Sequence, residues 1–403
     1  QLEANIPYDQ IVRQLISSKG LWTGEPQTNF ITSAVANEDL DENKLAGRSV
    51  RAFLGQSMDC AQCHDHPFDE NWKQGHFEGV AAQFGQVEQG GLGVYDSAKK
   101  MYEVQDLAAL KEVEDEPEDI PMREVAAAVP FGKDWVPAEG TTREQFAQWM
   151  THPENRRFER AIANRVWGLM FGRAFITPVD DMPNPSEDEA DRDVLDILGQ
   201  DFREHGYDLK RMIVTIASLR TFRLQSVVET GNKSQADVGY EELIALLDES
   251  WGLFPMTRLR PEQIIGSMLQ ASSIQTIDQN SHMFTRFQRF NNERDFVNEY
   301  GDLGDQELVE QTGTIPQALL RMNSNMTRGA VESGLLSACG RIANFSTTNE
   351  EALEAAYFVC LTRKPAPEER SHFLERLGDH TDDRRNPIIE DIFWTLFNSP
   401  EFS

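Results

Sequence analysis

The sequence predicts a mainly α-helical protein: a helical N-terminal part with a small irregular or β insert, then a larger all-helical region. Apolar residues recur every three or four positions through most of the 403 residues, the period of an amphipathic helix. Interruptions rich in Gly, Pro and acidic residues are concentrated around residues 86–140. No Gly-rich phosphate loop follows a strand, and neither a Gly-x-Ser-x-Gly elbow nor a fixed-period repeat occurs, which argues against the common α/β enzyme folds and against solenoids.

In chain order, Ile11, Val12, Leu15 and Ile16 place a helix over Tyr8 to Ser18, and Leu45, Val50, Phe53 and Leu54 place a second. Trp72, Phe77, Val80, Ala81 and Phe84 mark a third, ended by the turn at Gly90, Gly91 and Gly93, with a hairpin expected around Val94 to Val104. The run from Lys111 to Asp119 has little apolar content and reads as an exposed loop, and Pro117, Pro121, Pro130 and Pro137 break the region around it. A domain boundary is placed near residue 140, giving domains 1–140 and 141–403. Beyond it the same spacing predicts helices from Arg143 to Met150, Arg156 to Phe171, Arg192 to His205, Leu209 to Leu219 and Tyr240 to Trp251. Pro261 and Pro316 suit first helical positions before Glu262 to Ala271 and Gln317 to Met326. Asn349 is expected to cap Glu350 to Leu361, Pro367 to begin the next helix, and Ile388 to Phe397 to form the last.

With 67 Asp and Glu against 38 Lys and Arg, the net charge of −29 repels phosphate backbones and anionic lipid surfaces, so nucleic acid is not an expected partner. A basic protein would be steered toward such a surface. No stretch approaches the roughly 20 apolar residues that span a bilayer. The chain begins at Gln1 without a signal-like segment, and the expectation is a processed or truncated chain whose export signal lay upstream. Four cysteines, Cys60, Cys63, Cys339 and Cys360, are too few for a disulfide-built scaffold. Cys339 and Cys360 are read as buried thiols or a disulfide, with an exported location favouring the bond.

Cys60-Ala61-Gln62-Cys63-His64 rises above background. Covalent haem attachment needs two thiols about one turn apart and an adjacent imidazole for the iron. Such a pentapeptide arises by chance in on the order of one in a few hundred chains of this length. Zinc held by Cys60, Cys63, His66 and His76 is the main alternative. A thioredoxin-like redox pair and a local disulfide are also open. On the far side of the iron, His76 is the best single candidate for a sixth ligand, because Pro67 lets the chain turn and Trp72, His76, Val80 and Phe84 form an apolar stripe that could cover the haem. His66, two residues beyond His64, points roughly 200° away on a helix and suits a supporting role. Met58, Met101, Met122 and Met170 are further ligand candidates and more ordinary as core filler.

Other polar groups have plainer readings. Asn164, Arg165, Trp167 and Arg173 read as helix packing rather than partners of haem propionates, Arg156 and Arg157 as solvated, and the acidic run from Ser186 to Asp193 as a solvated helix start rather than a calcium loop.

The stretch Arg51 to Asp69 with its Cys-x-x-Cys-His-Asp-His-Pro-Phe-Asp core, Trp72, and Phe77 to Phe84 closely resembles the cytochrome-like domain widespread in planctomycetes and related bacteria. His152-Pro153, Asn164 to Trp167, Phe171 to Arg173, Thr177 to Asp181, Gly206 to Lys210, Thr221 to Arg223, Pro316 to Asn323 and Asn398 to Phe402 resemble the paired C-terminal domain of unknown function. The usual upstream part of the first domain is absent, and residues about 86–140 diverge, so partner contacts made there do not carry over. The resemblance implies a haem-bearing, exported protein acting in the periplasm or at the cell surface, often encoded beside a sulfatase-like partner, and no defined reaction.

The leading expectation is therefore a mono-haem c-type protein passing single electrons to a redox partner, with haem c on Cys60 and Cys63 and His64 as axial ligand. The alternatives are a haem enzyme activating peroxide or oxygen on an extracellular, polysaccharide-derived substrate, with His66, His76 or Asp69 as acid–base group, and a scaffold stapled by structural zinc.

Overall fold

A computed structural model describes all residues except 37–38, 66–71, 92, 107–120, 187, 227–237, 279, 301–307, 309–313, 335 and 403. The acidic loop expected from Lys111 to Asp119, and His66, Pro67, Phe68 and Asp69, lie outside the described residues. The fold is mainly α, with 17 helices and three two-stranded antiparallel hairpins among the described residues.

Packing divides the chain into Gln1–Met256 and Thr257–Ser403. In the first unit, helices Tyr8–Ser17, Glu42–Leu54 and Gln74–Ala81 turn Val12, Ile16, Leu45, Val50, Phe77 and Val80 into one core. Helix Thr142–Met150 packs on Tyr8–Ser17 and contributes Phe146, Trp149 and Met150 to that same core. Helix Arg156–Phe171 packs on both Glu42–Leu54 and Val194–Glu204. Each large side chain buried this way contributes roughly 1.5–3 kcal/mol.

Packing thus runs straight across the sequence boundary near residue 140. Arg143, fully buried, is the clearest reason: it donates to Asp96 Oδ1 at 2.8 Å, Ile16 O at 2.8 Å and Ser18 O at 3.2 Å. A guanidinium at the end of Tyr8–Ser17 satisfies carbonyls that the helix leaves unpaired and opposes the helix dipole. Lys19 also reaches Asp96, at 3.1 Å.

The second unit comprises helices Pro261–Ser272, Met283–Tyr300, Ile315–Asn323, Asn325–Val331, Ala338–Phe345, Asn349–Leu361, Pro367–Leu377 and Arg385–Phe397. Ile265, Leu353, Tyr357, Ile389 and Phe393 are among its core residues. Buried Arg385 closes the Ala338–Phe345 helix by donating to Ala343 O at 2.7 Å and Ser346 O at 2.9 Å.

Several expectations shift. The hairpin around Val94 to Val104 is instead two: Gly93–Asp96 pairs backward with Val87–Gly90, and Tyr102–Gln105 pairs forward with Met122–Val125. Gly93 has φ +88°, which lets the chain reverse at the glycine turn rather than after it. The helix expected from Gln317 to Met326 breaks at Ser324, whose extended backbone and hydroxyl cap Asn325–Val331 through the Thr327 N–H. Thr348, not Asn349, caps Asn349–Leu361, in a capping box with Glu351. No helix of the described residues is long and apolar enough to cross a membrane.

Candidate functional site

Helix Glu42–Leu54 ends at Gly55, whose φ of +61° turns the chain out of the helix. Gly55 O and the Gln56 side chain then bind the Met182 backbone, at 2.8 and 3.2 Å, fixing where the next turn starts. Met58 and Ala61, both fully buried, pin the short 3-10 turn Asp59–Gln62 to the core. The Ala61 N–H closes it on Met58 O at 2.8 Å. Between and after these anchors Cys60, Cys63 and His64 are exposed, and both thiols are free. The His64 ring lies 2.7 Å from Asp65 O through Nδ1. Asp65 Oδ1 accepts from the Gln74 N–H at 3.0 Å, tying the motif to the start of helix Gln74–Ala81.

His76 stands on that helix, half-buried, its Nδ1 accepting from the Lys73 N–H at 3.3 Å. The stripe on which it was placed faces inward: Val80 and Phe84 are fully buried, and Phe84 packs edge-on against Phe146. Their surface is committed to the core. Met58 is likewise core, Met101 and Met122 are exposed, and Met170 is half-buried against a core cluster of the first unit. Among the described residues no three His, Cys, Asp or Glu side chains converge as a metal site. Cys339 and Cys360 are both free and buried rather than bonded. Burial pushes the Cys339 thiol up to about 12, and burial with Cys339 nearby pushes Cys360 higher still.

Trp72 and His76 also form one wall of a cleft of about 550 Å³. The rest of its lining comes from Pro130, Phe131 and Trp135 and from Glu154 to Arg157, with Asn184 and Pro185. Trp149 holds the Phe131 carbonyl through its indole N–H at 2.8 Å. Phe131 meets Trp72 and Trp135 edge-on at 6.2 and 5.9 Å, and the Arg157 guanidinium lies over its ring at 4.4 Å. Trp135 is clamped by His152, stacked at 5.1 Å, and by Glu154 Oε2, which accepts from its indole at 3.1 Å.

Arg156 and Arg157 are therefore not simply solvated. Arg156 binds Ser186 O at 2.7 Å and Asp196 at 2.6 Å, and Arg157 also donates to Asn184. Asn164, Arg165, Trp167 and Arg173 pack as expected: Asn164 brackets the Ile176 backbone, and Arg173 pairs with Asp248 over the Trp251 ring. In the acidic run, Asp193 caps Val194–Glu204 and, with Asp196, holds the buried Arg160.

Residues 1–89 match the family PSCyt2, a protein of unknown function (DUF1549), and residues 142–307 match PSD1, a protein of unknown function (DUF1553). These are the planctomycete-type paired domains. No curated protein and no solved structure matches the chain. The PSCyt2 segment contains the Cys60 to His64 turn with Trp72 and His76, whereas Glu154 to Arg157 and Asn184 belong to the PSD1 segment. The cleft draws on both, and on Pro130 to Trp135, which neither covers. Sequence reasoning missed Phe131, Trp135 and Glu154 because they share no motif spacing. The available signal was two aromatics four residues apart in a proline-broken stretch otherwise poor in them.

Proposed function

We propose that the chain carries one haem c, attached through Cys60 and Cys63 with His64 as axial ligand, and passes single electrons. The observation that carries this reading is the turn itself: two free, exposed thiols and an exposed imidazole on one short segment whose Met58 and Ala61 are anchored in the core. The donor set suits the group, since thioether formation needs two accessible reduced sulfurs and iron ligation a neighbouring imidazole. The haem would supply a one-electron couple. Around it, Asp65 would fix the following chain through Gln74, and His76, on the helix so anchored, is the candidate second ligand.

An attachment turn at the surface favours exchange with a docking partner over chemistry in a closed pocket. The charge of −29 would speed the approach of a basic redox protein. Because c-type attachment is made outside the cytoplasm, the proposal includes an exported chain, and a sulfatase-like protein is a candidate neighbour. Zinc gains less support, because the described members of its ligand set do not converge.

The test is acid–organic extraction of the denatured protein, made in cells with c-type maturation machinery, followed by a pyridine haemochrome spectrum. Pigment should stay with the polypeptide, and Cys60→Ser with Cys63→Ser should abolish it. Freely extracted pigment, or none while a control cytochrome matures normally, would overturn the reading.

A further inference from the structure

The cleft beside the turn has a chemistry of its own. Its apolar surface is flat and rigid: Trp135 is held on one face by His152 and at its indole N–H by Glu154, and Phe131 is held by Trp149 through its carbonyl. Rings fixed in this way lose little freedom when a ligand stacks on them. The polar lining groups are mixed in kind: Arg157 is a donor and Glu154 an acceptor. Trp72 and Asn155, each 2% exposed, also line the cleft, but Trp72 Nε1 and Asn155 Oδ1, unpaired among the described residues, are closed off from solvent and lie out of a ligand's reach.

Charge narrows the ligand further. Arg156 is neutralised by Asp196, and Arg157 and Glu154 both line the cleft, so its formal charges cancel. A phosphate or carboxylate would meet Glu154 and could only accept. A hydroxyl both donates and accepts, and a pyranose ring joins several hydroxyls to a flat C–H face that stacks on aromatics. The volume of about 550 Å³ lies within the range of ligand pockets, roughly 300–1,000 Å³. We infer that this cleft is a binding site for a neutral oligosaccharide, with the face of Trp135 away from His152 as the stacking surface and Glu154 and Arg157 reading the hydroxyls. The inference does not rest on the haem reading.

The experiment is titration of the full chain with cellohexaose, xylohexaose, maltohexaose and mannohexaose, followed by tryptophan fluorescence and calorimetry. A galacturonate hexamer and a mixed neutral peptide pool serve as controls. At least one neutral sugar should bind and outcompete the controls. Trp135→Ala should weaken it by roughly tenfold or more through lost stacking. The exposed Glu154→Gln guards against misfolding as the explanation and should also weaken binding. The same sugar should bind the Cys60→Ser, Cys63→Ser chain unchanged, so that failure of the haem reading leaves this result standing. Binding of none of the four sugars, undiminished binding by both cleft variants, or preference for the acidic sugar or the peptides would overturn the inference.

Discussion

Replacing Arg143 by Met should unfold more than its own helix. The side chain is fully buried and makes three bonds at once, to the Asp96 carboxylate and to the carbonyls of Ile16 and Ser18. Methionine fills similar space but leaves all three acceptors unserved. Breaking a buried ion pair from one side costs about 3–5 kcal/mol. Lys19, 3.1 Å from Asp96 and 42% exposed, returns part of that, while the stranded carbonyls add to the loss. A net loss of about 4 kcal/mol follows, or roughly 8–16 °C for a unit of this size. Hydrogen exchange read by mass spectrometry in increasing urea is the suitable assay, because it reports each segment separately. Peptides from Tyr8–Ser17 and Thr142–Met150 should lose protection together and by the same amount. A loss below about 1 kcal/mol, or one confined to residues before 140, would refute the account of one shared core.

Two further outcomes follow from burial. In haem-free protein kept reduced, Cys60 and Cys63 should react quickly with a disulfide reagent, and Cys339 and Cys360 only after unfolding, because the latter are buried with raised thiol pKa values; a third fast thiol would contradict this. Burial pushes the Glu159 carboxyl up to about 7 despite Arg203 and Arg156, with Asp196 adding to the rise. Unfolded, it titrates near its usual value of roughly 4.3. Between those values the folded state holds a proton that the unfolded state releases, so this group's contribution is greatest below pH 4 and falls as pH climbs to 7. Glu159→Gln should therefore flatten the stability–pH curve over that window by about 1–3 kcal/mol, and an unchanged slope in urea denaturation would count against it.

Where a helix is closed by local chemistry, its limits were legible. Arg156 to Phe171 was expected and Arg156–Phe171 forms, stopped by Gly172 at φ +78°. The single helix expected through Ser324 failed because a serine tolerated mid-helix is also a cap, and sequence periodicity is blind to the choice. The Cys60 to His64 motif was conspicuous because its chemistry is sequential. The cleft was not, because Trp72, Trp135, Glu154 and Asn184 come together only by packing. Arg143 and Arg385 look like ordinary surface charges in the sequence; only the structure shows carbonyls waiting for them at helix ends.

The seam between Tyr8–Ser17 and Thr142–Met150 bears on how such a chain is inherited. Family resemblance divides it at residues 89 and 142, whereas packing ignores both points and divides it after Met256, inside the PSD1 segment. A gene encoding only the second segment would make a Thr142–Met150 helix whose Phe146 and Met150 have lost the apolar side chains they bury against, and an Arg143 with no carbonyls to close. A gene encoding only the first would leave those carbonyls bare. Each segment cut at those points would lose its side of the seam, so the two names divide what packs as one core.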